Sequence, residues 1–205
     1  EWLVFENNTV TDSEVFASIA AWEHVIVRNN TFTTPDPYQN GKSFFCLDFD
    51  PTWSRRPLVD VQVVDNTFEY TGSLAAGTKG MIGLYDCGYG PHTGIVVARN
   101  IFRSSDTDVK FISVPEAEAS FACLASENNL VYSADGAAPL FTRRTATPTF
   151  YTLAQWRLLT GNDQATQVHT NPNLPVPGWA KAPAADEASP IPVAYDRVEV
   201  TSGAG

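Results

Sequence analysis

Five stretches of this chain share one spacing, apolar-x-apolar-x-x-Asn-x-apolar, and that repeat restricts the fold more than any other feature. They are Leu3-Phe5-Asn8-Val10, Val25-Val27-Asn30-Phe32, Val61-Val63-Asn66-Phe68, Ile95-Val97-Asn100-Phe102 and Leu124-Ser126-Asn129-Val131. Fourteen of the fifteen apolar slots hold Leu, Ile, Val or Phe, where chance at 43% hydrophobic content would fill roughly six. The asparagines follow one another at intervals of 22, 36, 34 and 29 residues. A constant unit with variable spacers is the pattern of a solenoid, in which insertions become loops.

The unit reads as strand rather than helix. Its apolar positions alternate, skip one residue at the asparagine and resume, and most are β-branched or aromatic. A bend between two short strands accounts for the skip. Asn suits the bend because it tolerates left-handed backbone angles and bonds neighbouring backbone. Stacked coils would set the asparagines in a ladder and Phe32, Phe68 and Phe102 in an inner column. Apolar runs at 15–19, 44–47, 81–85 and 109–112 supply a further strand per coil, and Pro-, Gly- and Asp-rich spacers between them read as loops.

The rungs "VIVRNNTF", "VQVVDNTF" and "IVVARNIF" resemble the right-handed parallel β-helix of secreted bacterial proteins of the polysaccharide lyase and epimerase kind. The resemblance implies an all-β solenoid of about five coils over residues 1–174. "TLAQWRLLTGNDQATQVHTNPNL" resembles the segment that closes such proteins, with Leu153, Trp156 and Leu159 at helical spacing before Gly161. Residues 175–205 are rich in Pro and Ala, a tail or linker with room for a final strand over 193–200. Glu1-Trp2-Leu3 already lies inside a rung. An uncapped coil exposes unpaired backbone, so the sequence reads as the C-terminal part of a longer solenoid. Its expected partners are preceding coils on the same precursor or on another chain.

The net charge of −10 argues against nucleic acid and anionic membrane surfaces as partners. No apolar run reaches the eighteen or so residues of a membrane span. The β-helix resemblance places the protein outside the cell or at its surface. Cys46, Cys87 and Cys123 fit no metal spacing and read as small buried hydrophobes, or as a Cys46–Cys87 disulfide plus one free thiol. Asn7 and Asn29 open glycosylation sequons, although the ladder at Asn8 and Asn30 accounts for the same residues.

Polysaccharide is the substrate class that the resemblance implies. β-Helix lyases and epimerases neutralise a uronate carboxyl, often with calcium, and abstract a proton, whereas glycosidases use paired carboxylates. The candidate catalytic residues are Asp48 and Asp86 as acid and base, with Lys79 or His92 moving protons. Asp48 and Asp50 would hold calcium. Trp53, Tyr85 and Tyr89 would hold sugar rings, and Arg55 an anionic group. Lys42, Lys79 and Lys110 each open an apolar run and would form a lysine column. Solvated loop carboxylates and charged strand starts account for the same residues without chemistry. On that account the chain is a structural or adhesive module: a stalk, fibre or surface-layer subunit.

Overall fold

The computed structural model describes residues 3–11, 17–18, 23–34, 45–49, 56–71, 79–84, 91–104, 106–107, 109–115, 123–133, 135–144 and 147–170. Within them the chain is mostly β, arranged in three sheets of parallel strands. The first half of each repeat forms β1 (Leu3–Glu6), β4 (Glu23–Arg28), β7 (Val59–Val64), β10 (Thr93–Ala98) and β13 (Leu124–Glu127). The second half forms β2 (Thr9–Thr11), β5 (Thr31–Thr34), β8 (Thr67–Tyr70), β11 (Ile101–Ser104) and β14 (Leu130–Ser133), joined by β17 (Gln167–His169). The spacers supply β3 (Ala17–Ser18), β6 (Phe45–Phe49), β9 (Lys79–Leu84), β12 (Val109–Pro115) and β15 (Phe141–Arg144). Each set is one sheet, ordered as in the chain. The exception to parallel pairing is β16 (Thr149–Tyr151), antiparallel to β15.

Register follows the repeat. Val25, Val61, Ile95 and Leu124 lie opposite one another, as do Phe32, Phe68, Phe102 and Val131. Stacked phenylalanine rings stand 4.9 Å apart at both steps, the spacing of neighbouring strands. All three rings are buried. The third sheet is buried on both faces, since Met81, Ile82, Leu84 and the run Phe111 to Val114 all lose their solvent contact. That is why its strands read as continuous apolar runs rather than as alternation.

The asparagine ladder is formed. Asn30 Oδ1 accepts from Asn8 N and Nδ2, Asn66 Oδ1 from Asn30, Asn100 Oδ1 from Asn66, and Asn129 Oδ1 from Asn100, all between 2.9 and 3.2 Å. Each of Asn30, Asn66, Asn100 and Asn129 also donates Nδ2 to a carbonyl on the preceding strand of the first sheet. The left-handed residue of each bend is not the ladder asparagine, as the sequence suggested, but the one before it. Asn7, Asn29, Asp65, Arg99 and Asn128 have φ of 59°, 54°, 59°, 55° and 56°. That residue turns the chain, which leaves the asparagine free to aim inward. Its outward position also tolerates charge: Arg99 forms a two-pronged pair with Asp65, at 2.8 and 2.7 Å. The bond to Asp65 raises the Arg99 pKa above its ordinary value.

A closing helix, α1 (Leu153–Thr160), starts at a Thr152/Gln155 capping box and stops at Gly161 in the left-handed region, φ 74°. Trp156 is fully buried and stacks on Phe141 at 4.7 Å. Leu159, which shares the helical spacing of Leu153 and Trp156, faces outward. It is 42% exposed and Leu158 90%, because eight residues present one narrow face to the core.

After the helix comes a sixth, polar version of the repeat. Asn129 N donates to Thr166 Oγ1 at 3.0 Å, so Thr166 ends the ladder and Val168 follows it in β17. Asn162 occupies the place of a next strand, accepting from Ser126 N and donating to Leu124 O. Asp163 is buried and accepts from Ser126 Oγ, Thr166 Oγ1, Trp156 Nε1 and Asn129 Nδ2 at 2.6 to 3.3 Å. Ser126, the one polar slot in fifteen, is thereby explained: it faces a carboxylate where its counterparts face aliphatic side chains.

Candidate functional site

In chain order each of β6, β9 and β12 runs into a connection that leads to β7, β10 and β13. The first of these connections carries Asp50, Trp53 and Arg55, the second Tyr85, Asp86 and Tyr89, and all six lie outside the described residues. Lys42 and Cys87 lie outside as well, so the Cys46–Cys87 bridge is not described. Asp48 and Lys79 are placed by strand register. Asp48 stands opposite Ser18 and Gly83, in a row continued by Ser113 and Thr142. Lys79 stands four residues before Gly83, about 13 Å back along the strand at roughly 3.3 Å per residue. Asp48 is therefore near the exit of its strand and Lys79 at the entry of the next.

His92 closes the second connection. It is buried, and its Nδ1 accepts from Leu58 N at 3.0 Å while Thr93 N donates to Leu58 O. A neutral imidazole that accepts at Nδ1 carries its proton on Nε2, so in this state the ring offers a donor rather than a base.

The starts of the first-sheet strands hold a pair that the sequence did not single out. His24 Nδ1 lies 3.0 Å from Asp60 Oδ2, both side chains about one-third exposed. His24, Asp60 and Gly94 occupy one register position on β4, β7 and β10, and all three are left-handed, with φ of 62°, 54° and 65°. A Cβ on Gly94 would stand 3.4 Å from the Asp60 Cα and N. Non-glycine residues in this region carry strain that surrounding structure must hold. Three different residue types at one bend leave no sequence signal to find.

The lysine column does not form. Lys110 lies opposite Gly80 and Lys79 opposite Val109, one position apart. Lys110 is buried, donates to Thr107 O at 2.9 Å, and stands 5.4 Å from the Phe150 ring centroid. It borders a cavity of about 20 Å³, room for one water, also lined by Asp106, Arg103 and Tyr132. Cys123 is half-buried, and burial pushes its pKa up, which disfavours the reactive thiolate. Among the described residues no three His, Cys, Asp or Glu side chains gather as a metal site. No described helix is long and apolar enough to cross a membrane. No family model, curated protein or solved structure matches this chain.

Proposed function

We propose that the chain is a right-handed parallel β-helix that binds an extracellular polysaccharide at the corner between its third and first sheets. The observation that carries this reading is the common strand order of the three parallel sheets. Parallel crossovers are right-handed in about 98% of cases. Three sheets that take their strands in rotation, coil after coil, close most simply into a solenoid. Every connection from third sheet to first then leaves at the same end of equivalent strands. Loops gathered at one edge of a rigid scaffold are where binding residues concentrate.

On this reading Asp48, Asp50 and Asp86 supply carboxylates to one groove, and calcium at Asp48 and Asp50 offsets the charge of a uronate. Trp53, Tyr85 and Tyr89 carry sugar rings, Arg55 meets an anionic group, and the His24–Asp60 pair borders the groove. Assays of the full chain on neutral and acidic polysaccharides, with and without calcium, test it through reducing-end release, unsaturated-uronate absorbance and retention on the immobilised glycan. Turnover, or binding that Asp48→Asn and Asp86→Asn reduce, is expected. Neither binding nor turnover on any polymer would sink it.

A non-catalytic role is favoured by a different observation. Among the described residues β1, β2 and β3 stand at the same end of all three sheets, and Asn8 Oδ1 accepts from no described residue. That end would take a further parallel coil whose own asparagine donates to Asn8, as a stalk or surface fibre requires. Assembly without glycan binding would favour this reading.

A further inference from the structure

Arg28 and Arg99 each reach back one strand to a carboxylate, Glu6 at 2.6 Å and Asp65 at 2.7 Å. Arg103 has the same opportunity and does not take it. Glu69 is its register partner on β8, yet the guanidinium turns the other way, over the Tyr132 ring on β14, 5.1 Å from the centroid. Its Nε is buried without a hydrogen-bond partner, and among the described residues no carboxylate answers it. Leaving a buried N–H of a charged group unbonded costs more than leaving a neutral one. Such a group points to an acceptor that the described chain does not supply.

The cavity of about 20 Å³ beside Arg103 is where that acceptor would stand. It lies between the ends of β11 and β14 and the start of β12. Arg103, Ser104, Asp106, Lys110, Tyr132 and Ser133 supply its polar lining. Ser104 Oγ donates to Asp106 O at 2.8 Å and Ser133 Oγ to Asp135 O at 2.9 Å, so both serine hydrogens are committed to backbone. The donors left for an occupant are cationic: Arg103 Nε and Lys110 Nζ. One of the three Lys110 hydrogens goes to Thr107 O at 2.9 Å.

Charge and size narrow the occupant. Two cations against the Asp106 carboxylate leave the lining at 2 − 1 = +1, a local excess in a chain whose net charge is −10. An unmatched charge in a partly desolvated place is costly, and an anion within reach offsets that cost. The volume admits a single water-sized group. Phosphate, sulfate and a whole sugar acid are too large for it, whereas chloride is little larger than water.

We propose that this cavity binds a small monovalent anion, chloride by its size, between the Arg103 Nε–H and the Lys110 ammonium. The anion supplies the counter-charge that Glu69 does not, and it links the end of β11 to the start of β12. Chloride NMR line widths of the full chain test this, at constant ionic strength with gluconate replacing chloride. The wild type should broaden the chloride line in proportion to protein concentration, and bromide should compete the broadening away. Net charge of −10 repels anions, so diffuse binding adds little to the width. Losing one charged hydrogen bond weakens affinity about tenfold, so Arg103→Gln should cut the excess width about tenfold. Arg99→Gln breaks an existing ion pair outside the cavity and should leave the width unchanged. If circular dichroism shows that Arg103→Gln fails to fold, Lys110→Gln serves as the second variant and should also reduce the width. No excess width in the wild type, or width that bromide does not compete, would overturn the proposal and leave the cavity to water. Full width retained in a folded Arg103→Gln, or an equal loss in Arg99→Gln, would overturn it too.

Discussion

Replacing Asn66 by Ala tests the ladder where it is most enclosed. The Asn66 side chain makes five hydrogen bonds. It accepts from Asn30 N and Nδ2 at 3.0 Å and donates to Val27 O, Val64 O and Asn100 Oδ1 at 2.9, 3.0 and 3.1 Å. Truncation leaves Asn30 N–H without its acceptor and Val27 C=O without this donor, both where water does not reach. Each buried group left unsatisfied costs about 1–3 kcal/mol, so for two groups the expected loss is about 2–6 kcal/mol. Asn8→Ala is the internal control. Asn8 is only partly buried and donates to Glu6 O and Asn30 Oδ1; on truncation Asn30 Oδ1 keeps its bond from Asn8 N and water can serve Glu6 O, so the loss should stay below about 1 kcal/mol. Urea titrations followed by circular dichroism give both values, provided the m-value stays constant. Equal losses for the two variants, or a loss under about 1 kcal/mol for Asn66→Ala, would refute the argument that burial rather than bond count sets the cost.

Phe68 lies between Phe32 and Phe102 in the stacked column, so Phe68→Ala should cost about 3–5 kcal/mol in the same titration; a loss near zero would mean that the column carries no packing. Gly161 caps α1 at φ 74°, and a Cβ there would meet open space, so Gly161→Ala isolates backbone strain. It should lower stability by about 1–2 kcal/mol, whereas no change in thermal midpoint would remove the strain argument. For Asp163, burial raises the pKa above its ordinary 3.8 even though four donors pull the other way. A raised folded pKa gives stability that is complete below the unfolded pKa and lost as pH rises through the folded value. Asp163→Asn cannot titrate, so the stability of the wild type relative to this variant should fall as pH climbs above about 4, the ordinary carboxylate value; a relative stability that rises instead would mean that the donors outweigh burial.

The proposed site was legible in the sequence only as residue types on loops. Composition and resemblance single out Asp48, Asp50, Asp86 and the neighbouring aromatics; of these the structure describes Asp48, on β6. The His24–Asp60 pair was invisible beforehand because its members are 36 residues apart and share no motif. Lys79 and Lys110 illustrate the converse error. Both open an apolar run, yet the register puts them one position out of line, since spacer lengths vary and nothing in the spacers fixes the count.

What the sequence determined by itself was whatever recurs within a few residues: alternation, the one-residue skip, the asparagine and the phenylalanine that follows it. These are local because a strand's period and the sterics of a bend act over neighbouring residues, and stacking then repeats them unchanged from Asn8 to Asn129. The tertiary structure decided what depends on which strand lies next in each sheet. Asp163 and Thr166 complete the ladder with side chains that no apolar template anticipates, because β13 and β14 meet the segment after helix α1 and Trp156 rather than another layer of aliphatics. The left-handed residue likewise fell one place earlier than the asparagine, since only the stacked neighbour's Oδ1 requires the asparagine to point inward.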